Sequence, residues 1–173
     1  MRPLRHRNVI AIFRSRDRIV LGVIMSATAE PAALSETRRI IDFLGLDGLL
    51  VRDRVALASQ VARGLPAATA DAVRETLGPK AFFQILPEAT YRRVKRQAKP
   101  LTRETSEKLY EFGRVYELAL RLYKGDRART MGFLGRAHAM LGGESPIALA
   151  TSSSAGADAV IDLLNRADAG FAA

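Results

Sequence analysis

The residues best suited to chemistry in this chain are cationic. The stretch TYRRVKRQAKPLTR brings Arg92, Arg93, Lys95, Arg96, Lys99 and Arg103 together with no acid among them. Guanidinium and ammonium groups clustered in this way recognise polyanions, most often the phosphates and base edges of nucleic acid. Other chemistries are poorly provided for. The chain has no cysteine, and His6 and His138 are its two histidines. Thiol chemistry and a Cys/His zinc site are therefore excluded. There is no GxxxxGK[ST] loop and no GxGxxG after a strand. Neither histidine accompanies a nucleophile elbow, and the acids fall mostly within charge-paired helical stretches rather than in a carboxylate pair. These features point to a binding protein and not an enzyme, with no metal and no cofactor expected.

Two short helices must position the cationic cluster. PKAFFQIL reads as a brief apolar helix, and PEATYRRVKRQAK follows it after almost no loop. A tight turn between two short helices, the second strongly basic, is the composition of a helix-turn-helix. On the second helix Ala89 and Val94 are expected to face inward, so that Thr90, Arg92, Arg93 and Arg96 project outward. Thr90, Tyr91, Arg92, Arg93, Lys95, Arg96 and Lys99 form the candidate DNA-binding set.

The rest of the chain is a succession of helical signals with almost no strand pattern. SETRRIIDFLG opens on a Ser35 cap and stops at Gly45; Val51, Val55, Ala58 and Val61 are the expected inner face of the next helix. Pro66 suits the first turn of a third, lined by Ala70, Val73 and Leu77. After the basic helix, Thr102 caps a long helix with Leu109, Phe112, Tyr116, Ala119, Leu120 and Tyr123 on one side. Glu104–Lys108 and Glu117–Arg121 are expected ion pairs on it. Asp126 caps RARTMGFLGRAHAM, and a last helix is expected to bury Val160, Ile161, Leu164 and Ala167 and to stop at Gly170. The expected fold is all-α, with a helix-turn-helix half joined by a long helix to a second helical half.

Net charge is +9 over 173 residues, and residues 1–24 carry six arginines against Asp17. Residues 1–34 are read as a basic, poorly ordered arm, residues 35–101 as the helix-turn-helix domain and 102–173 as linker helix and C-terminal domain. The apolar run Ile19–Met25 is short for a secretory leader, and Met25 is a candidate start of its own. No apolar run approaches the length of a membrane span, and a cytoplasmic location is expected.

One stretch stands out without carrying catalytic chemistry. AHAMLGGESPIAL sets Gly142-Gly143 and Ser145-Pro146 between helical runs. A glycine can supply the left-handed residue that ends a helix, Ser145 can cap, and Pro146 suits the following first turn. From the residues alone this is a corner between two helices.

Taken in order, these segments resemble the Xre-type antitoxins of the MbcA/ParS family, partners of RES-domain toxins in type II toxin–antitoxin modules. The resemblance runs from about Val55 to Phe171. It rests on ARGLPA (Ala62–Ala67), on TYRRVKR, similar to a T-L-x-R-R recognition helix, and on LTRETSEKLYEFGRV, similar to L-x-x-x-x-S-x-x-L. It closes on LGGESPIAL and GADAVIDLLNRADAGFAA, similar to L-G-G-x-x-P-x-x-L and G-x-x-x-V-x-x-x-L-x-R-x-x-x-G. The chain departs from the family at Phe133-Leu134 and Ala137-His138, where Trp-Leu and Pro-Asn are usual. It departs also at Glu111, often arginine, and at Gly113 inside the long helix.

The resemblance implies two jobs: repression of the module's own promoter by a dimer, and occlusion of the active site of a RES toxin, an NAD-degrading enzyme. It implies a toxin-facing surface made of Leu141, Gly142, Gly143, Pro146, Ile147, Leu149, Arg166 and Gly170. The implied partners are a RES toxin, operator DNA, and a second copy or a larger complex with toxin, with no membrane. The rival reading is a stand-alone helix-turn-helix regulator with a C-terminal dimerisation domain.

Overall fold

The computed structural model describes residues 31–171, Gly48 and Leu50 excepted. The expectations for residues 1–30 lie outside the described residues. Among the described residues nine α-helices follow one another: α1 (Pro31–Phe43), α2 (Arg54–Arg63), α3 (Ala67–Leu77), α4 (Pro79–Ile85), α5 (Glu88–Gln97), α6 (Arg103–Leu122), α7 (Arg127–Leu134), α8 (Pro146–Ser152) and α9 (Ser154–Phe171). A 3-10 turn, Ala139–Leu141, lies between α7 and α8. No strand occurs among the described residues.

The architecture is built around α6, whose Leu109, Phe112, Val115, Tyr116 and Ala119 are buried. Helices α1, α2, α7, α8 and α9 all pack on it. Helix α1 contributes Ile40, Ile41 and Phe43, and the Phe43 ring lies 5.0 Å from that of Tyr116 and 6.2 Å from that of Phe112. Gly113 makes this approach possible, because a Cβ there would sit 3.0 Å from Phe43 Cδ1. At the head of α6 a single buried hydroxyl, Ser106 Oγ, accepts from Leu65 N at 2.8 Å and donates to Thr102 O at 2.9 Å. Leu101 N donates to Leu65 O at 2.8 Å alongside it. Two backbone groups of a buried turn thereby find partners, which accounts for the Leu101, Ser106 and Leu109 spacing.

Capping is local and mostly as the sequence implies. Thr102, Asp126 and Ser145 each accept a backbone N–H three residues on, from Thr105, Arg129 and Ala148. Asp53 does the same for α2, accepting from Ala56. The expected ion pair Glu104–Lys108 forms at 2.8 Å.

Several expectations need correction. Helix α1 begins at Pro31, so Ser35 lies within it rather than capping it. In α2 the inner residues are Leu57 and Val61, while Val55 is 75% exposed and Ala58 is exposed. Val51 is buried, but it precedes the Asp53 cap, so a helical period counted from it runs out of phase. The run RARTMGFLGRAHAM does not continue as one helix: α7 stops at Leu134, two glycines (Gly132 and Gly135) having weakened it. Glu117 does not pair with Arg121. Burial under α1 turns it to Arg39, with Nε–Oε2 at 3.9 Å, and Arg121 reaches Asp168 at 3.7 Å instead. The stretch ATSSSAGAD, residues 150–158, whose small residues suggest a spacer ahead of the last helix, is nearly all helical and broken at Ser153 alone. Gly170 lies inside α9, and Ala167 is exposed; one glycine in a helix costs about 1 kcal/mol, too little to end it.

Candidate DNA-binding and partner-binding surfaces

Helices α4 and α5 are joined by Leu86 and Pro87 alone, giving the tight corner the sequence implies. Phe82 and Ile85 of α4 are buried, whereas α5 buries no residue completely. Its inward stripe is Tyr91 and Val94, both half-buried. Ala89, expected inward, is exposed; the Tyr91 ring, with the larger apolar area, takes the inward position. That ring stands edge-on to Phe82 at 5.5 Å and to Phe83 at 6.0 Å.

The candidate DNA-binding residues therefore divide. Thr90 is half-exposed, and Arg92, Arg93, Lys95, Arg96 and Lys99 are exposed. Arg92 donates to Glu88 one turn back at 2.7 Å. Lys95 Nζ donates to Asp71 Oδ2 of α3 at 2.7 Å, and the Tyr91 hydroxyl donates to Asp71 Oδ1 at 2.7 Å. Burial pushes the Asp71 carboxyl up, but the hydrogen bonds from Lys95 and Tyr91 outweigh it and hold the group below its ordinary value. The bond to Asp71 raises the Tyr91 hydroxyl, and the same carboxylate raises the Lys95 ammonium. Among the described residues no ion pair engages Arg93, Arg96 or Lys99. At 100° per residue Ala89, Arg93 and Arg96 share the side of α5 that faces away from Tyr91.

The Gly-Gly turn has its own scaffold, centred on His138. Its carbonyl accepts from Leu141 N at 2.9 Å and Gly143 N at 3.1 Å, and its N–H donates to Glu144 O at 3.0 Å. Nδ1 accepts from Met140 N at 3.3 Å, and the ring stands edge-on to Phe133 at 6.0 Å. Gly142 and Gly143 have φ of +67° and +85°, and a Cβ on either would meet nothing within 4 Å. Leu141, Pro146 and Ile147 are buried, so they brace the turn from behind and present no side chain to a partner. Outward stand Gly142, Gly143 and Glu144, with Met140 at 63% exposure and Leu149 half-buried. Arg166 and Gly170 are exposed on the last turns of α9. Sequence reasoning missed Asp71, His138 and Met140. His138 before a double glycine was a usable signal, whereas Asp71 lies too far along the chain from its partners to be one.

Among the described residues no group of three or more metal-ligating side chains comes together, and no helix is long and apolar enough to cross a membrane. Residues 56–114, α2 to the middle of α6, match the antitoxin Xre-like helix-turn-helix domain. Residues 118–170 match the antitoxin Xre/MbcA/ParS C-terminal toxin-binding domain. The chain belongs to the Xre/MbcA/ParS-type antitoxins. No curated protein matches it.

Within this antitoxin the departures noted from sequence have structural reasons. Gly113 admits Phe43 of α1, a helix that precedes both matched regions. Glu111 accepts from Arg114 at 2.7 Å, and the same guanidinium donates to Asp158 of α9 at 2.9 Å. Phe133 and His138 face each other across the turn, so two changed positions form one contact.

Proposed function

We propose that this antitoxin neutralises a RES-type, NAD-degrading toxin by covering its active site, and that it represses its own operon through α5. The tandem of a helix-turn-helix module and a toxin-binding module in one chain carries the reading. The surfaces support it. Arg93, Arg96 and Lys99 are exposed cations on or beside the second helix of the α4–α5 pair, where early positions reach base edges and flanking cations meet phosphates. Gly142 and Gly143 are exposed, bear no side chain and belong to a hydrogen-bonded turn, so a partner surface can approach their backbone closely at little ordering cost. We infer that residues 35–101 act as the DNA-binding domain and residues 102–173 as linker helix and toxin-binding domain, in the cytoplasm, with no catalytic role and no cofactor.

Co-expression with the product of the neighbouring gene, followed by pull-down and a growth test, examines the toxin arm. A complex that restores growth is the expected result. No complex, with upstream DNA still bound, would leave a stand-alone regulator. A gel shift on that DNA examines the other arm, and binding as a symmetric complex is expected.

A further inference from the structure

The basic face of α5 is not uniformly available, and the reason lies on a different helix. Asp71, in α3, spends both carboxylate oxygens on α5: Oδ1 on the Tyr91 hydroxyl and Oδ2 on Lys95 Nζ, each at 2.7 Å. Residues 91 and 95 are one turn apart, so a single side chain grips one edge of the helix at two heights. The Tyr91 ring is held at the same time by Phe82 and Phe83 of α4, and the Arg74 guanidinium lies 5.6 Å over it. Three helices thus converge on Tyr91. Among these contacts the pair of bonds to Asp71 is directional, whereas the aromatic contacts tolerate a sliding ring.

We propose that Asp71 is a positioning residue for DNA reading: through Tyr91 and Lys95 it fixes the rotation of α5, and it withdraws the Lys95 charge from phosphate contact. The inference rests on the DNA-binding reading of α5. The side of the helix turned away from Asp71 bears Ala89, Arg93 and Arg96. A rotation of α5 by one residue's arc would replace Arg93 with Arg92 or Val94 at its centre. A small Ala89 near the start of the helix lets the backbone approach a groove, where a methyl can meet a thymine methyl. On this account Arg93 and Arg96, with Lys99, neutralise phosphate or read bases, and Lys95 does neither.

The two roles separate in the salt dependence of binding. Full-length protein and variants would be titrated on a labelled duplex of the DNA upstream of the gene and on a scrambled duplex, across a range of potassium chloride. Each cation that contacts phosphate contributes about 0.9 to the slope of log affinity against log salt. Arg96→Gln is expected to lower the slope by about that amount, and Lys95→Gln to leave it unchanged. Tyr91→Phe with Lys95→Gln removes both bonds to Asp71. That pair is expected to keep the slope while preference for the upstream duplex falls about tenfold, the worth of one base contact. Asp71→Asn is expected to steepen the slope by up to about 0.9 as Lys95 is released. An exposed Lys95→Gln does not threaten folding, so it decides the matter. If it lowers the slope as much as Arg96→Gln, the proposal is overturned while DNA binding stands. If wild-type protein binds neither duplex, the DNA-binding reading falls and the proposal with it.

Discussion

Glu117 makes the stability of this antitoxin pH-dependent in a direction opposite to most carboxylates. Its side chain, 11% exposed, lies under α1, and its nearest cation is Arg39 at 3.9 Å, beyond hydrogen-bonding reach. Arg39 Nε is itself buried with no hydrogen-bond partner. An ion pair so loosely made does not offset the cost of burial. Desolvation dominates and pushes the Glu117 carboxyl from 4.5 to about 7; Arg39 and Arg127 pull it down and Asp42 pushes it up. The folded protein therefore holds a proton on Glu117 between about pH 4.5 and 7, while the unfolded chain has lost it. Stability falls as pH rises through that window and levels off above it. A shift of this size corresponds to about 3 kcal/mol. Asp42 is raised as well, by burial and by Asp47, which gives the same sign. Asp71 and Glu104 are lowered and lose stabilisation only in more acid solution.

The perturbation is Glu117→Gln, which keeps the shape and removes the titration. Thermal melts of both proteins between pH 5 and pH 8 should show the wild type losing more stability than the variant. The excess loss of about 3 kcal/mol translates to a fall in Tm of roughly 10 °C for a domain of this size. At pH 8 the variant should melt above the wild type, and near pH 5 the two should coincide. Parallel curves would refute the reasoning, because they would mean that water or Arg39 solvates the carboxylate in the folded state.

The same surfaces yield three shorter predictions. Replacing Arg93 and Arg96 together by alanine should weaken binding to upstream DNA and lower its salt slope by roughly 2, with Tm unchanged; an unaltered slope in a filter-binding series would move the DNA face off α5. Gly143→Arg should cost roughly 1–2 kcal/mol through its φ of +85° yet preserve the fold, since nothing lies within 4 Å of the new Cβ. The variant should lose neutralisation in a growth test, and full rescue of growth would remove the turn from the toxin-facing surface. Gly156→Ala should destabilise the C-terminal half by several kcal/mol, because its Cβ would fall 2.2 Å from Leu149 O, a backbone atom that cannot step aside; calorimetry reads this directly.

What the sequence made legible was what local chemistry decides. The caps at Thr102, Asp126 and Ser145 each depend on an oxygen and an N–H three residues apart. The α4–α5 corner follows from an apolar segment, a proline and a basic segment in immediate succession. The rest depended on partners far along the chain. Asp71 bonds to residues 20 and 24 positions away, and nothing in ATADAVRETLG marks that carboxylate as different from its neighbours. Glu117 sits four residues before Arg121 and reads as a surface pair, until α1 covers it. The buried side chains of Leu141, Pro146 and Ile147 could be named from the motif, but only packing shows that they brace the turn rather than offer it.

The boundary between the two matched regions falls at residues 115–117, inside α6 and not between domains. Val115, Tyr116 and Glu117 there are buried, and α1 lies across them with Phe43 against Tyr116. A joint between independently moving halves would be expected in an exposed, polar linker. Here it is one uninterrupted helix of 20 residues, and α4 of the helix-turn-helix half also touches α8 of the toxin-binding half. That contact packs α4 against the helix that Ser145 and Pro146 begin. On the proposed reading, a toxin at the Gly-Gly turn would press on a body packed through α6 and the α4–α8 contact to the helix pair that carries α5.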